Sequence, residues 1–239
     1  MNDMSADTML GYLYGLPEQF ASSLEMKFDF VDRYRKNYSN IVVSGLGGSA
    51  IGGDILRTMA LEQCTVPVIV NRDYTIPHFV NRNTLFIAIS YSGNTEETIS
   101  AYSQAQGQGA EIVCLTSGGK LQEMAVRDGF SVIKVPGDLV PRAATGLLLA
   151  PLVMFLEDIG IFFAGRKALQ ETVTVLQQQR QMLQPESSIP ENQAKDIALK
   201  LKGAIPIIWG VSGFSEAAAL RWKAQINENS KCPAYYNVF

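Results

Sequence analysis

Histidine is nearly absent from this chain: its 239 residues contain one, His78. A Ser-His-Asp hydrolase would need a histidine served by a G-x-S-x-G nucleophile elbow, and no such elbow occurs. His78, in "TIPHF", is read as a turn residue. Cysteine is scarce as well. Cys64, Cys114 and Cys232 are odd in number, far apart and outside any C-x-x-C pattern. Neither a disulfide framework nor a zinc site is therefore indicated, no metal is expected, and a reducing cytoplasm is the expected compartment. There is no Lys/Arg-rich run, and the net charge is −3 with a pI near 5.3, which argues against a nucleic-acid or polyanion partner. No stretch of about 18 apolar residues occurs, and the N-terminus "MNDMSADTML" carries acids and lacks a basic region before an apolar run. Neither a membrane span nor a secretion signal is expected. A G-x-x-x-x-G-K-[ST] loop is also missing, which excludes the nucleoside-triphosphate P-loop.

What remains is ordinary material for a packed protein. With 47% hydrophobic and 18% charged residues, the chain can bury a sizeable core in one or two domains. From Thr8 to about Lys36 the pattern is helical, interrupted near "GLPEQF", where Pro17 suits the first turn of a new helix. Five short apolar runs follow: "NIVVSG" (40–45), "VPVIVN" (66–71), "TLFIAIS" (84–90), "AEIVCLT" (110–116) and "FSVIKVP" (130–136). Near-continuous apolar strands suit a parallel sheet covered on both faces. Helices are expected between and after them, at about 49–62, 94–107, 119–128 and 143–159. The alternation predicts a doubly wound α/β domain with a parallel sheet.

The stretch from Phe162 to Gly203 is Gln-rich and reads as two helices with a break at "PESSIPE". After it the strand pattern returns as "AIPIIWG". "IVVSGLGGSAIGGDILRT" and "IPIIWGVSGFSEAAALRWK" share an apolar strand, a Gly/Ser-rich turn and a helix. The echo fits either two tandem α/β lobes or the general likeness of any two βα units.

In a parallel sheet the βα turns emerge at the carboxyl edge, where helix N-termini present N–H groups and a partial positive charge. The first turn, "GLGGSAIGGD", offers Gly47 and Gly48 for close backbone approach and the Ser49 hydroxyl as a donor. Gly45, Gly47 and Ala50 also satisfy the loose dinucleotide pattern G-x-G-x-x-G/A, but after the second strand come Asn71 and Arg72, and Asp73 arrives late for a ribose. The second turn, "SYSGNTEET" (90–98), admits two readings. Ser92 or Asn94 could cap a helix, with Asn94 and Glu97 forming a capping box. Alternatively Ser90, Ser92 and Thr95 are three neutral donors for a phosphate monoester, with Gly93 keeping the backbone open. Arg142, in "VPRAATG", is either a plain surface residue or a cation aimed at developing negative charge such as an enediolate. Glu228, in "NENSK", sits where a carboxylate opposes the helix dipole, and could serve as a general base for a proton α to a carbonyl.

In this order, "GLGGSAIGGD", "SYSGNTEET", "PRAA" and "NENSKCPA" resemble the sugar isomerase (SIS) domain superfamily, and within it the bifunctional phosphoglucose/phosphomannose isomerase family. The resemblance covers nearly the whole chain. It implies SIS lobes of flavodoxin-like topology, a homodimer, a sugar-phosphate substrate, and no metal or nucleotide cofactor. Carried over by motif, Gly47, Gly48, Ser49, Ser90, Ser92 and Thr95 would hold the sugar phosphate, Arg142 would stabilise a cis-enediol(ate), and Glu228 would shuttle a proton between C1 and C2. The implied activity is interconversion of glucose 6-phosphate or mannose 6-phosphate with fructose 6-phosphate. The alternatives are a non-catalytic phosphosugar-binding module and, more weakly, an NAD(P)-binding oxidoreductase. The expected layout is a helical segment over 1–38, a first SIS domain over 39–162, a helical linker over 163–203 and the start of a second lobe over 204–239. The family continues into a "PELNHNE"-like segment, whose histidine is taken to open the sugar ring, and later to a lysine. This sequence stops at "YYNVF" before both, and His78 lies at a different motif position. A fragment of a longer protein is the expected reading, with poor turnover from residues 1–239 alone.

Overall fold

The computed structural model describes residues 6–213 and 215–239. The first five residues of the N-terminal segment and Phe214, in the second of the two echoing turns, lie outside the described residues. The chain divides into two compact units, with the boundary between Gln170 and Glu171.

The first unit begins with helices α1 (Ala6–Tyr14), α2 (Leu16–Leu24) and the short α3 (Val31–Tyr34), with Pro17 in the first turn of α2 as its fixed φ favours. There follow β1 (Asn40–Ser44), α4 (Gly48–Gln63), β2 (Val68–Asn71), β3 (Thr84–Ile89), α5 (Glu96–Gly107), β4 (Glu111–Thr116), α6 (Gly119–Arg127) and β5 (Ser131–Lys134). A 3-10 turn, Pro141–Ala143, leads into α7 (Thr145–Asp158), and α8 (Gly165–Met182) runs through the boundary between the units. All pairings in the sheet are parallel, in the order β2-β1-β3-β4-β5. The expected doubly wound parallel α/β architecture is met.

β1 and β3 are buried along their whole length, which explains why their sequences run apolar without alternation. On one face Val42, Phe86, Ala88, Ile112 and Cys114 pack with Ala101, Tyr102 and Ala105 of α5 and Leu121 and Ala125 of α6. α7, buried from Thr145 through Leu156, packs against α2 and α4. A helix that is apolar all round must be covered all round, and the lead-in helices supply part of that cover. Phe155 of α7 meets Phe28 and Tyr34 edge-on, at centroid separations of 5.9 and 5.4 Å. Fully burying one such side chain contributes about 1.5–3 kcal/mol.

The chain order reverses between β1 and β3, since β2 lies outside β1 and β3 on its other side. That reversal opens a crevice at the carboxyl ends of β1 and β3, the usual ligand position in an open α/β sheet. Ser44 is in register with Ala88, so the turns that follow these two strands leave the sheet at about the same level.

The second unit contains the rest of α8, a 3-10 turn (Ile189–Glu191), α9 (Gln193–Leu201), β6 (Ile207–Gly210), α10 (Glu216–Gln225), a five-residue π-helical turn (Ile226–Ser230) and β7 (Tyr235–Val238). The two helices with a break between them are as expected, and Asn192 caps α9 by accepting from Lys195 N–H (3.1 Å). β6 and β7 form a parallel pair, so the strand-turn-helix grammar of the first turn recurs here. Ile207, Trp209, Tyr235 and Phe239 are more than half exposed, at 59, 52, 59 and 77%.

Candidate functional site

The first turn is anchored before it reaches any ligand. Asn71 Nδ2, at the end of β2, donates to Ser44 Oγ (3.2 Å), and Gly45 N–H donates to Asn71 O (3.1 Å). Gly47 is the N-cap of α4, with φ +55°, and no side chain caps the helix. Ser49 and Ala50 use their N–H groups inside the turn, on Leu46 O and Gly47 O. Gly48 is needed for close approach: a Cβ there would lie 2.8 Å from the carbonyl of Pro141 and 3.1 Å from the Arg142 nitrogen. The backbone that carries Arg142 is thereby packed onto the first turn of α4.

The second turn is laced internally. Ser90 is fully buried, its Oγ 2.8 Å from Thr95 Oγ1 and accepting from Thr95 N–H (3.3 Å). Ser92 is exposed, and its Oγ accepts from Asn94 N–H (3.3 Å). Thr95, not Ser92 or Asn94, is the N-cap of α5, and it makes no side-chain capping bond. The expected Asn94–Glu97 capping box does not form, because Asn94 is engaged sideways: Nδ2 donates to Ser92 O (3.1 Å) and Oδ1 accepts from Lys120 N–H (3.1 Å) in the first turn of α6. Leu121 N–H likewise donates to Gly93 O (2.8 Å). The loop caps its neighbour's helix and leaves the start of its own uncapped by a side chain. Glu96 and Glu97 do stand in the first turn of α5.

Tyr91 joins these parts, and sequence reasoning missed it. Its N–H donates to Ser49 Oγ (3.2 Å), linking the two turns directly, and leaves the Ser49 hydroxyl hydrogen available to donate elsewhere. Its carbonyl accepts from Ser117 N–H (3.0 Å) and Oγ (2.6 Å). Its phenol donates to Pro136 O (2.7 Å) and accepts from Leu139 N–H (3.0 Å), on the segment that leads to Arg142. Burial pushes the phenol pKa up. The one signal in the sequence was an aromatic residue between two serines, where a solvated loop would not place it.

Arg142 is half-buried in the 3-10 turn at the same edge. Ser49, Ser90, Thr95 and the Arg142 backbone are therefore brought together within the first unit, with Gly47, Gly48 and exposed Ser92 in the same turns. Glu228 lies in the second unit, exposed, inside the π-helical turn. That turn is tied by Asn227 Nδ2 to Cys232 O (2.8 Å) and by Lys231 Nζ to Glu228 O (2.8 Å), and Lys231 closes it at φ +55°. Burial lowers the pKa of the Arg221 guanidinium, and the charge of Glu228 opposes that shift. His78 is exposed in a turn, as expected. Where a dinucleotide site would want an acid, Asn71 bonds Ser44 and Arg72 pairs with Asp54 of α4. No group of three or more His, Cys, Asp or Glu residues able to hold a metal occurs among the described residues, and none of their helices is long and apolar enough to cross a membrane.

A doubly wound sheet with two glycine- and hydroxyl-rich turns at its switch point defines the SIS class, and residues 35–140 match the SIS domain family. Residues 190–239 match the bacterial phospho-glucose isomerase C-terminal SIS domain. Over 232 residues the chain is 49% identical to a bifunctional phosphoglucose/phosphomannose isomerase of Caldicellulosiruptor bescii, covering 97% of this chain and 68% of that protein. A protein of the same name from Thermoplasma acidophilum is 42% identical over 203 residues, 84% of this chain and 59% of its own length. The chain belongs to the bifunctional phosphoglucose/phosphomannose isomerase family. Among solved structures, the C-terminal domain of glucosamine-fructose-6-phosphate aminotransferase from Francisella tularensis shares the fold, with TM-score 0.73, 15% identity, and coverage of 100% of this chain and 71% of that one. The tagatose-6-phosphate ketose/aldose isomerase of Escherichia coli does so at TM-score 0.69 and 17% identity, covering 99 and 69%.

Proposed function

We propose that this chain binds a hexose 6-phosphate and takes part in its aldose–ketose isomerisation, interconverting glucose 6-phosphate or mannose 6-phosphate with fructose 6-phosphate. The observation that carries the reading is the Tyr91–Ser49 bond, which draws two hydroxyl-rich turns on adjacent strands into one seat. The seat's donors are neutral: the Gly47 and Gly48 backbone and the hydroxyls of Ser49, Ser90, Ser92 and Thr95, at the starts of two helices that no side chain caps. Such a seat favours a phosphate dianion through the helix ends without a lysine or arginine clamp, so the product phosphate can leave. Glu228 takes the proton from C2 of the open-chain aldose. The C–H electron pair enters the C1–C2 bond, and the charge developing on oxygen is spread over the Arg142 guanidinium. The proton on O2 passes to O1, and as the carboxylic acid so formed returns the abstracted proton to C1, the C1–C2 double-bond pair becomes the new C1–H bond and the O2 electrons close the C2 carbonyl. We further read the working form as a homodimer in the cytoplasm, a compartment that suits three free cysteines.

A coupled assay on the full-length protein tests the roles. Glu228→Gln is expected to cost about 10²–10⁴-fold in kcat, the range of a general base, and Arg142→Ala about 10²–10³-fold, the range of one oxyanion donor. Unchanged rates in both variants would overturn the assignment. Stabilisation by glucose 6-phosphate without turnover would make the protein a binding module. Stabilisation by NAD(P) and not by hexose phosphates would favour the dinucleotide reading.

A further inference from the structure

We propose that Gln19, in the lead-in helix α2, is a positioning residue for Arg142, which makes the helical lead-in a working part of the site. The proposal rests on the role given to Arg142 above. Gln19 is only 6% exposed, and both ends of its carboxamide are used on segments more than 120 positions away. Nε2 donates to Ala143 O (2.9 Å) and Oε1 accepts from Gly146 N–H (3.1 Å). The first bond holds the residue that follows Arg142; the second satisfies a donor in the first turn of α7. That helix has Ala144 as its N-cap and no capping side chain of its own. Gln19 thus supplies from α2 what a local Ser or Asp supplies elsewhere, and in doing so spans the junction between the 3-10 turn and α7.

The surroundings are built to bring the amide there. A Cβ at position 146 would lie 2.6 Å from Gln19 Cβ, so only glycine lets α2 and α7 come this close. Gln19 is itself anchored, its N–H donating to Gly15 O (3.1 Å) and its carbonyl accepting from Ser22 Oγ (3.1 Å) and Ser23 Oγ (2.9 Å). A residue needed only for packing would be apolar, since a buried carboxamide is tolerated when both its ends are bonded and costly otherwise. What these two bonds fix is the conformation of the turn carrying Arg142. The Tyr91 phenol holds the same segment upstream, at Pro136 and Leu139, and the Gly48 backbone abuts Pro141. Arg142 sits between three braces, of which Gln19 alone comes from outside residues 35–140.

The test is a double-mutant cycle on the full-length protein with Gln19→Met, which keeps length and loses both bonds, and Gln19→Glu, which keeps the acceptor for Gly146 and loses the donor to Ala143. Misplacing a reacting group by about 1 Å can cost about 10²-fold. Each variant is expected to lower kcat on glucose 6-phosphate by roughly 10- to 100-fold. KM should stay within about twofold, because other turns build the phosphate seat. In an Arg142→Ala background neither substitution should lower kcat further, since the group being positioned is gone. A fall in melting temperature with kcat preserved would overturn the proposal, as would the same kcat loss in both backgrounds. Either result leaves the Arg142 role standing. An Arg142→Ala variant with wild-type kcat would remove the Arg142 role and this proposal with it. Should Gln19→Met fail to fold, Gln19→Glu carries the same comparison.

Discussion

Substituting Gly93 by alanine should damage the phosphate seat and the fold together, by amounts that can be worked out from two turns. Gly93 has φ +73°, where an alanine costs about 1–2 kcal/mol. The larger obstacle is space: a Cβ there would lie 1.7 Å from Gly118 O and 2.6 Å from its carbon. Restoring an ordinary separation of about 3.5 Å means parting the β3–α5 and β4–α6 turns by roughly 1.8 Å. The shift stretches the Leu121 N–H bond to Gly93 O and the Lys120 N–H bond to Asn94 Oδ1. Overpacking of this kind adds about 1–3 kcal/mol. The sum, about 2–5 kcal/mol, corresponds to a melting point lower by roughly 4–20 °C at 2–4 °C per kcal/mol. A displacement above 1 Å at the seat exceeds hydrogen-bond tolerance, and losing one bond to the charged phosphate, about 1.5–3 kcal/mol, should weaken glucose 6-phosphate binding by about 10- to 10²-fold. Isothermal titration calorimetry with glucose 6-phosphate and a thermal melt read the two effects. The control is Gly109→Ala, which has the same backbone strain, φ +74°, with nothing within 4 Å of the added Cβ. It should cost about 1–2 kcal/mol and leave affinity unchanged. Wild-type affinity in Gly93→Ala, or an equal loss in Gly109→Ala, would refute the reasoning.

Three more outcomes follow from the same geometry. Ser92→Ala removes an exposed hydroxyl that internally accepts only from Asn94, so by calorimetry it should lose the roughly 1.5–3 kcal/mol of a hydrogen bond to a charged phosphate. In denaturant its stability should shift by less than about 0.5 kcal/mol; the opposite order of effects would return Ser92 to a capping role. Thr145 has a buried hydroxyl with no hydrogen-bond partner. Thr145→Val should therefore raise stability by about 1 kcal/mol, and a loss of that size would show that the hydroxyl is bonded in solution. Asp54 has its carboxyl pushed above the ordinary value of 3.8 by burial, with the Arg72 charge and hydrogen bond, then Arg57, pulling it back. The folded state thus holds that proton more tightly than the unfolded chain. The stability it contributes is fully present below pH 3.8 and is lost as pH rises through the folded pKa. Compared with Asp54→Asn across a pH series, wild type should lose ground as pH rises through that window and then run parallel; a gain over the same window would contradict the shift.

Local pattern carried the strands and helices of the first unit, because burial on both faces leaves an unmistakable apolar run such as Thr84–Ile89. It also located both turns, since glycine and hydroxyl clusters between a strand and a helix have few other uses. It failed where a side chain chose a distant partner. Asn94 looked like a cap for the helix following it and caps α6 instead, 26 positions on. Gln19 carries no local mark of its bonds to the Arg142 segment, and Tyr91 only that of an aromatic residue in a polar turn, because the bonds themselves exist only once α2, β3 and the 3-10 turn have packed together. The π-helical turn at Ile226–Ser230 was read as the end of a plain helix, since one surplus residue in a turn leaves no periodic trace.

That surplus residue makes the direction of Glu228 a matter of counting. A π-helical turn is an α-helix holding one residue more than its pitch accepts, kept in place by contacts around it, and here by the ties of Asn227 and Lys231. Removing the residue just before Glu228, Asn227, would let ordinary pitch resume and swing the carboxylate by about 100° around the axis, one α-helical step. The composition of the segment would barely change. Its aim would be lost, so the length of this short stretch should tolerate less variation than its chemistry.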